Sequence, residues 1–577
     1  MSKKRKKFVL PFIKRGYGGT IDFSHKQYDY SLVFLYISFF CAGIFFLILL
    51  VRLFQLTIVK GSYYHELSDQ NRIREIIVEP RRGKIIDRYG IVIAENKIAN
   101  TSEEKDRILS KRFYYDGELF SHIIGYRQLA NDEDLKSNDC LNKLKIGDKT
   151  GKKGIEKTLD CILRGKNGKK LIEVDAKGKE KKPLAKIEPL DGATVQLSID
   201  KRLQKKGYEI MNGKIGALIA VEPRTGEILS LISSPYFNPE AFENNLSSSI
   251  NQYFSDKEKP LFNRVTEALY PPGSVFKMVV SAGALEEKII TAKTTVNDTG
   301  FIEVGGRKFY SWGRQYGAVD GETNVIKALQ RSNDIFYYKT GLDMGPVSIM
   351  KWAEIFGFQK KTGIEIEESI GIIPRPLWKK DILKEKWYDG DTVNLSIGQG
   401  YTLVTPLQVA MSVLPFASDG YYCRPTLIKV EGENKSNCHK LPISNENLSI
   451  IMDGMKKACE QNGTGVPFFD FSFVDPANAL SNENDKKIEV SSFSGFLKNK
   501  NSTESSFIKR KHMSVGCKTG TAESSDKENP HSWFTVYAPY DNPEIAVTVL
   551  IEFGGEGSKV ASVIAKDFLT YFFETKK

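Results

Sequence analysis

The chain has 577 residues, with 41% hydrophobic and 27% charged side chains and a formal net charge of +12. This length and composition predict a multi-domain globular protein able to bury a large core. They disfavour a nucleic-acid-binding protein, which would spread basic residues along a stripe with interleaved aromatic side chains. Half of the excess charge lies at one end, since residues 1–30 carry eight Lys and Arg against two Asp, a balance of +6.

Residues 31–51 follow this basic tail as an uncharged segment rich in Phe, Leu and Ile. That is the length a helix needs to cross a bilayer. Positive charge before the span predicts a cytoplasmic N-terminus and an extracytoplasmic remainder. A cleaved signal peptide is the alternative, but its apolar core is shorter and a small-residue cleavage site would follow. We therefore expect a single-pass anchor in the cytoplasmic (inner) membrane.

The next region, residues 52–200, alternates short β patterns with polar stretches. A helix is predicted over residues 154–164, a strand over 170–174 and a basic hairpin tip near 177–183. Residues 195–200 alternate with the period of two that is typical of a strand. The sequence therefore predicts a small β-rich domain with a boundary near residue 200.

The remainder, residues 201–577, begins and ends with apolar β-hairpins, and mostly helical patterns lie between them. The first hairpin turns at residues 223–226, and the second, at 540–543, precedes a predicted helix over 558–573. This order predicts a mainly antiparallel sheet flanked by helices. Residues 465–512 are rich in Asn, Ser and Lys, which predicts a long flexible insertion.

Seven cysteines are present, one in the span and six beyond it: Cys41, Cys140, Cys161, Cys423, Cys438, Cys459 and Cys517. Their spacings specify no disulfide framework, although an oxidising compartment would permit disulfides. Unpaired thiols are therefore the expectation. No C-x-x-C or H-E-x-x-H pattern occurs, so neither a metal nor a cofactor is predicted.

Ser274 and Lys277 open an apolar run, residues 278–285, that predicts a buried helix starting near Ser274. Three residues apart on a helix, the hydroxyl and the amine share one face. The helix N-terminus favours a developing oxyanion. Burial lowers the pKa of a lysine, so the neutral amine of Lys277 can accept the proton of the serine.

Two further polar motifs follow. Ser332-Asn333-Asp334 lies between two helical patterns, where we expect an exposed corner. Lys518-Thr519-Gly520-Thr521 has the composition of a strand, and Gly520 would let a substrate backbone approach closely. Cys517 would point away from Lys518 and is predicted to be a packing residue.

In this order the three motifs resemble the S-x-x-K, S-D-N-like and K-T-G set of penicillin-binding proteins and β-lactamases. Residues 81–90, 154–157, 390–408 and 531–539 resemble class B penicillin-binding proteins, most closely their elongation-type members. The resemblance runs from the anchor to the C-terminus. It implies an N-terminal transmembrane helix, a small β-rich pedestal domain and a C-terminal penicillin-binding/β-lactamase-like transpeptidase domain. The head subdomain between Gly90 and Leu119 is much shorter than in the family.

The resemblance also implies catalytic roles at the matching positions. Ser274 would be the acylated nucleophile and Lys277 its base. Ser332 would relay a proton to the leaving amine, helped by the charge of Lys518. Asp334, where many relatives have Asn, would hold Lys277 or the substrate amide.

Substrate binding is implied for the third motif. Lys518 and Thr519 would hold the terminal carboxylate of a D-Ala-D-Ala stem peptide, and Gly520 and Thr521 would line its path. Backbone N–H groups of Ser274 and Thr521 would form the oxyanion hole, in which one donor contributes about 3–4 kcal/mol in other enzymes.

The implied function is a membrane-anchored D,D-transpeptidase that crosslinks peptidoglycan during cell elongation and is acylated by β-lactams. Residues 52–200 leave no room for a glycosyltransferase domain, so a SEDS-type glycosyltransferase and other elongation-complex proteins are the implied partners. One alternative is a D,D-carboxypeptidase or β-lactamase-type hydrolase. Such an enzyme needs a positioned water for deacylation, and the sequence has no E-x-E-L-N segment, which supplies one in class A β-lactamases. The other is a non-catalytic penicillin-binding scaffold.

Overall fold

The structure, a computed structural model, describes residues 9–15, 21–27, 32–98, 107–108, 110–137, 140, 143–175, 180–430, 437–475, 510–526 and 528–576. It divides into two packing units. The first comprises residues 1–78, 104–107 and 169–188, and the second comprises residues 79–103, 108–168 and 189–577.

The strands in chain order are β1 (Val9–Arg15), β2 (Ile21–Gln27), β3 (Ile73–Val78), β4 (Ile85–Ile86), β5 (Val92–Ile98), β6 (Arg107–Ile108), β7 (Ser110–Tyr114), β8 (Arg127–Leu129), β9 (Lys149–Gly151), β10 (Gly168–Val174), β11 (Glu180–Ile187), β12 (Val195–Gln196), β13 (Gly216–Val221), β14 (Ile228–Ser234), β15 (Val296–Asp298), β16 (Phe301–Val304), β17 (Arg307–Tyr310), β18 (Gly321–Thr323), β19 (Tyr421–Cys423), β20 (Cys438–Lys440), β21 (Ser472–Val474), β22 (Arg510–His512), β23 (Gly516–Ala522), β24 (His531–Ala538) and β25 (Ile545–Ile551).

The α-helices in chain order are α1 (Leu32–Phe54), α2 (Gly61–Arg72), α3 (Gly117–Ile124), α4 (Asp132–Lys136), α5 (Gly154–Thr158), α6 (Asp160–Arg164), α7 (Lys201–Met211), α8 (Glu240–Glu243), α9 (Ser247–Ser255), α10 (Lys277–Glu286), α11 (Val325–Arg331), α12 (Asp334–Ile355), α13 (Pro376–Trp378), α14 (Asp389–Ser396), α15 (Pro406–Ala417), α16 (Asn445–Ala458) and α17 (Ala561–Glu574).

The first unit contains the predicted anchor. Helix α1 continues into a π-helical turn, and together they form a 28-residue helix, Leu32–Val59, with a mean hydropathy of 2.7 over its most apolar window. Of the described helices it alone is long and apolar enough to cross a membrane. The same unit contains the β1–β2 hairpin and a sheet of order β11-β10-β3-β6.

The second unit begins with a small sheet of order β12-β4-β5-β7. Beside it lies a buried ionic cluster, in which the guanidinium groups of Arg82 and Arg112 donate to the two carboxylate oxygens of Glu156 at 2.6 and 2.8 Å. Buried charges persist where such pairing compensates their lost solvation. The cluster brings segments 81–90 and 154–157, both of which resemble class B penicillin-binding proteins, into direct contact through Arg82 and Glu156.

A five-stranded antiparallel sheet of order β14-β13-β25-β24-β23 forms the centre of the second unit. Both predicted hairpins and the C-terminal helix are confirmed. Alternate side chains face opposite sides, so Leu218 packs in the core with α17 and Ala217 in the core with α10 and α15. Helices on both faces explain why these strands are apolar throughout.

Two sequence-based expectations are wrong. The six cysteines beyond the span are not free thiols, because disulfides join Cys140 to Cys161, Cys423 to Cys438 and Cys459 to Cys517, and Cys41 is free. Chain spacing could not reveal these pairs, since strand pairing and tertiary packing bring the partners together. The Ser332 to Asp334 corner is buried rather than exposed. The predicted buried helix near Ser274 is present, as a 3₁₀ turn over Gly273–Phe276 that leads into α10 at Lys277.

The predicted insertion has ordered ends. A 3₁₀ turn, Val466–Phe468, is followed by β21, which pairs antiparallel with β22. The expected lack of structure is therefore wrong for these ends, and residues 476–509 lie outside the described residues. Residues 180–183 of the predicted hairpin tip belong to β11, and residues 177–179 also lie outside.

The disulfides predict a graded effect on stability. Replacing Cys459 and Cys517 by serine should lower the free energy of unfolding by about 4 kcal/mol, since 58 residues separate them. Replacing Cys423 and Cys438, which are 15 residues apart, should lower the free energy of unfolding by about 3 kcal/mol. Denaturant titration of the two double variants measures the difference, and equal stability with the wild type would contradict the paired state.

Candidate active site

Three elements of the second unit bring the motifs together: the 3₁₀ turn before α10, the corner between α11 and α12, and strand β23. Gly273 has a φ of +56°, and a Cβ there would lie 2.7 Å from the Thr521 carbonyl oxygen. Only glycine permits so close an approach of the turn to β23. The backbone of Ser274 therefore lies beside the end of the Lys-Thr-Gly strand.

Ser274 and Lys277 lie one helical turn apart. The Lys277 amide donates to the Ser274 carbonyl, an i to i+3 bond, and side chains at this separation eclipse on a 3₁₀ turn. Ser274 is half-buried and Lys277 fully buried. Ser274 is therefore partly accessible to solvent, whereas the Lys277 side chain is not.

The Lys277 amine has two acceptors in the second motif. It donates to Asp334 Oδ1 at 2.6 Å and to the Ser332 carbonyl oxygen at 2.8 Å. Burial lowers the pKa of Lys277, and the Asp334 carboxylate opposes that shift without cancelling it. The backbone N–H of Trp312 donates to the second Asp334 oxygen at 3.0 Å, which fixes the carboxylate.

Hydrogen bonds of Asn333 fix the corner that carries the second motif. Ser332 adopts a left-handed conformation with φ +54°, which is uncommon for a residue with a side chain. The buried Asn333 accepts from the Phe336 N–H, so it caps α12, and its amide donates to Asp298 and Asp320 at 2.7 and 2.9 Å. These bonds direct the Ser332 and Asp334 side chains to the opposite side, towards the lysines.

Lys518 completes the chain of hydrogen bonds. Its amine is fully buried and donates to Ser332 Oγ and to the Thr519 carbonyl oxygen, both at 2.8 Å. Burial and the nearby positive charge of Lys277 hold the pKa of Lys518 well below its ordinary value. Among the described residues no carboxylate lies within 4 Å of this amine. The amine is therefore placed to meet an incoming anion.

Strand β23 is an edge strand of the described sheet, and its last residues are braced by neighbours. Thr519 Oγ1 lies 2.7 Å from Thr464 Oγ1. The Gln399 amide donates to the Thr521 carbonyl at 3.3 Å, and the Gly557 N–H donates to the Thr521 hydroxyl at 3.4 Å. Adding a Cβ to Gly520 would place it 2.9 Å from the Trp533 Cβ, so Gly520 is also needed for packing.

The structure thus brings Lys277, Ser332, Asp334 and Lys518 into one hydrogen-bonded cluster and places the Ser274 turn against β23. Two contributing residues, Thr464 and Trp312, were not predicted from the sequence, and Asn333 belonged to a predicted motif without an assigned role. For Thr464 the available signal was the Gly-Thr-Gly turn directly after α16, whereas no local pattern marks Trp312. His531 packs inside the sheet, where its Nδ1 accepts from the Phe553 N–H at 3.3 Å.

This arrangement supports proton transfer to and from a hydroxyl. A half-buried serine, two buried amines and one carboxylate can exchange a proton without bulk water. Within the described part of the chain, no group of three or more His, Cys, Asp or Glu side chains is placed to hold a metal ion.

Comparisons with known proteins match the chain to two domain families. Residues 216–470 and 480–570 match the penicillin binding protein transpeptidase domain, and residues 107–197 match the penicillin-binding protein dimerisation domain. The chain is 28% identical over 604 residues to the peptidoglycan D,D-transpeptidase MrdA of Haemophilus influenzae, covering 92% of this chain and 90% of that protein.

Solved structures of two PBP2 proteins are similar to this chain over most of its length. PBP2 of Pseudomonas aeruginosa, in complex with WCK 5153, is 28% identical with a TM-score of 0.69, covering 87% of this chain and 97% of that one. PBP2 of Helicobacter pylori, in complex with MreC, is 28% identical with a TM-score of 0.70, covering 87% and 99%.

Proposed function

Because the chain belongs to the penicillin-binding protein transpeptidase family, we propose that it is a peptidoglycan D,D-transpeptidase acting through an acyl-enzyme on Ser274. The observation that carries the proposal is the continuous set of contacts from Lys277 through Asp334 and Ser332 to Lys518, beside the Ser274 turn. This set supplies the base, the proton relay and the anion site that acyl transfer to an amine requires.

In the proposed reaction, Ser274 Oγ attacks the carbonyl carbon of the penultimate D-Ala, and its proton passes to the neutral Lys277 amine. The N–H groups of Ser274 and Thr521 stabilise the oxyanion. Collapse breaks the peptide bond, and the departing D-Ala amine receives a proton through Ser332. An acceptor stem amine then attacks the ester, gives up a proton along the same route and restores the Ser274 hydroxyl.

Charge balance supports assigning the base role to Lys277. Two buried amines lie near a single carboxylate, Asp334, which contacts only Lys277 of the two, so the ligand-free cluster disfavours two ammonium ions at once. A substrate carboxylate arriving at Lys518 would supply the second negative charge and stabilise Lys518 as a cation. That cation would in turn favour a neutral Lys277, because like charges repel. Substrate binding would thus prepare the base.

The proposal also covers place and partners. The Leu32–Val59 helix would anchor the chain in the cytoplasmic membrane, with the basic tail inside and the catalytic domain outside. We divide the chain into the tail (1–30), the span (31–51), the pedestal (52–200) and the transpeptidase domain (201–577), which is compatible with both family matches. Similarity to an MreC-bound PBP2 supports an MreC-like partner. The elongation role and a SEDS-type glycosyltransferase partner rest on the family resemblance of the sequence motifs.

A product assay tests the activity. Full-length protein in detergent is incubated with glycan strands carrying pentapeptide stems, and the digested products are separated by mass. The proposal expects crosslinked dimers and an equal amount of released D-Ala, both abolished by prior penicillin treatment. Released D-Ala without dimers would instead support the hydrolase, and neither product would support a non-catalytic scaffold.

The pKa of Lys277 predicts a pH effect. The Asp334 carboxylate raises this pKa against the effect of burial, so Asp334→Asn should lower it further. A neutral amine then becomes available at lower pH, and the rising limb of the acylation rate should move to lower pH. The second-order rate of penicillin acylation, followed across pH, measures the limb.

Glu523→Gln is the control for this experiment, because it removes an exposed carboxylate just beyond β23. Its profile should coincide with that of the wild type. A limb that stays in place or moves to higher pH in Asp334→Asn would contradict Lys277 as the base.

A further inference from the structure

We propose that Thr464 is a further substrate-binding residue, whose hydroxyl pairs with that of Thr519 to bind the substrate carboxylate beside Lys518. The proposal deepens the function proposed above and rests on it. Thr464 lies in a turn after α16, the 459–465 turn, which is remote in sequence from all three motifs.

The hydroxyl pair leaves one hydrogen for a ligand. Thr464 Oγ1 and Thr519 Oγ1 are 2.7 Å apart, a hydrogen-bonding distance in which one hydroxyl donates to the other. Each hydroxyl has a single hydrogen, so the accepting hydroxyl keeps its own hydrogen for a third group. A carboxylate would accept this hydrogen in a charge-assisted hydrogen bond, which is roughly twice as strong as a bond between neutral groups.

The location of the pair favours an anion. The Lys518 amine donates to the Thr519 carbonyl oxygen at 2.8 Å. Thr519 therefore contacts both the amine, through its carbonyl, and Thr464, through its hydroxyl. Thr519 is 6% exposed, whereas Thr464 is half-buried and open to an incoming group. A carboxylate placed here would meet a cation and a hydroxyl donor together.

The 459–465 turn is fixed in this position from three sides. The Cys459–Cys517 disulfide ties its first residue to the residue before Lys518. Arg331 Nη1 donates to the Asn462 carbonyl at 2.9 Å, which links the turn to the second motif. A Cβ on Gly465 would lie 2.7 Å from Cys517 Sγ, so the turn packs directly against the disulfide. The hydroxyl pair is therefore arranged before the ligand arrives.

The experiment compares two ligands, one with a free carboxylate and one in which a methyl ester removes its negative charge. Second-order acylation rates of full-length protein in detergent are measured with benzylpenicillin and with its methyl ester. The wild type should prefer the acid. Thr464→Val, which keeps the shape and removes the hydroxyl, should lower the acid-to-ester rate ratio by about 10-fold, the loss of one hydrogen bond to a charged group. Thr464→Ser should restore the ratio.

The possible outcomes are distinct. A ratio in Thr464→Val equal to that of the wild type would overturn the proposal, and so would an equal fall in both rates, which indicates only a structural role. Thermal unfolding identifies a variant that has lost its fold. If Thr464→Val has lost it, the acid-to-ester rate ratio is measured on Thr464→Ser instead, and the proposal requires that ratio to match the wild type. A wild type that neither ligand acylates would overturn the proposed function itself, before any variant is compared.

Discussion

Replacing Ser274 by alanine should abolish covalent labelling by a fluorescent penicillin while leaving the protein folded. In the proposed mechanism the Ser274 hydroxyl is the group that Lys277 deprotonates, whereas the described groups of the cluster are two amines, the Asp334 carboxylate and the Ser332 hydroxyl bonded to Lys518. Without the nucleophile no acyl-enzyme forms, however well the ligand binds. Gel fluorescence after denaturation measures the covalent product.

Ser281→Ala provides a control on α10, the helix that follows the Ser274 turn. Ser281 is buried there, and its hydroxyl lies 2.6 Å from that of Tyr337, whose ring centroid is 5.4 Å from the Lys277 amine. This variant should label like the wild type, with at most a small loss of stability. Labelling of Ser274→Ala at the wild-type level would show that the nucleophile lies elsewhere.

Replacing Lys277 by arginine should lower the acylation rate by about 10²–10⁴-fold, the contribution usual for a positioned general base. Arginine keeps a positive charge for the Asp334 carboxylate, but its guanidinium does not deprotonate in proteins. The substitution therefore separates the base from the ion pair. Stopped-flow acylation with penicillin gives the rate, and thermal unfolding shows whether the buried site accepts the larger side chain.

Lys379→Arg is the companion variant, because Lys379 also forms a buried ion pair, with Asp391 at 2.8 Å, but belongs to no motif. It should acylate at the wild-type rate. If Lys277→Arg also reacted at that rate, ion pairing alone would explain the lysine, and another group would have to accept the serine proton.

Local sequence patterns predicted the elements that carry most of the site. The spacing of Ser274 and Lys277 and the apolar run after them require a buried turn of helix, and the β composition around Lys518 requires a strand. Both properties depend on neighbours in the chain. The anchor was predictable for the same reason.

Other features depend on contacts between segments that are distant in sequence. The burial of Ser332 to Asp334 follows from Asp298 and Asp320, which satisfy the Asn333 amide from another sheet. Thr464 belongs to the site because a turn 55 residues away reaches β23. The disulfides likewise join segments whose proximity is set by tertiary packing. Polar composition therefore suggested an exposed corner at Ser332 to Asp334, and uninformative cysteine spacing suggested free thiols.

The most direct test of the account is to locate the penicillin adduct on the wild-type protein by peptide mass spectrometry. Trypsin should release residues 265–277, which contain Ser274, between cleavages after Arg264 and Lys277. The account predicts that this peptide gains the mass of one penicillin and that fragmentation places it on Ser274. An adduct on any other peptide, or none after saturating exposure, would contradict the claim that this serine is acylated.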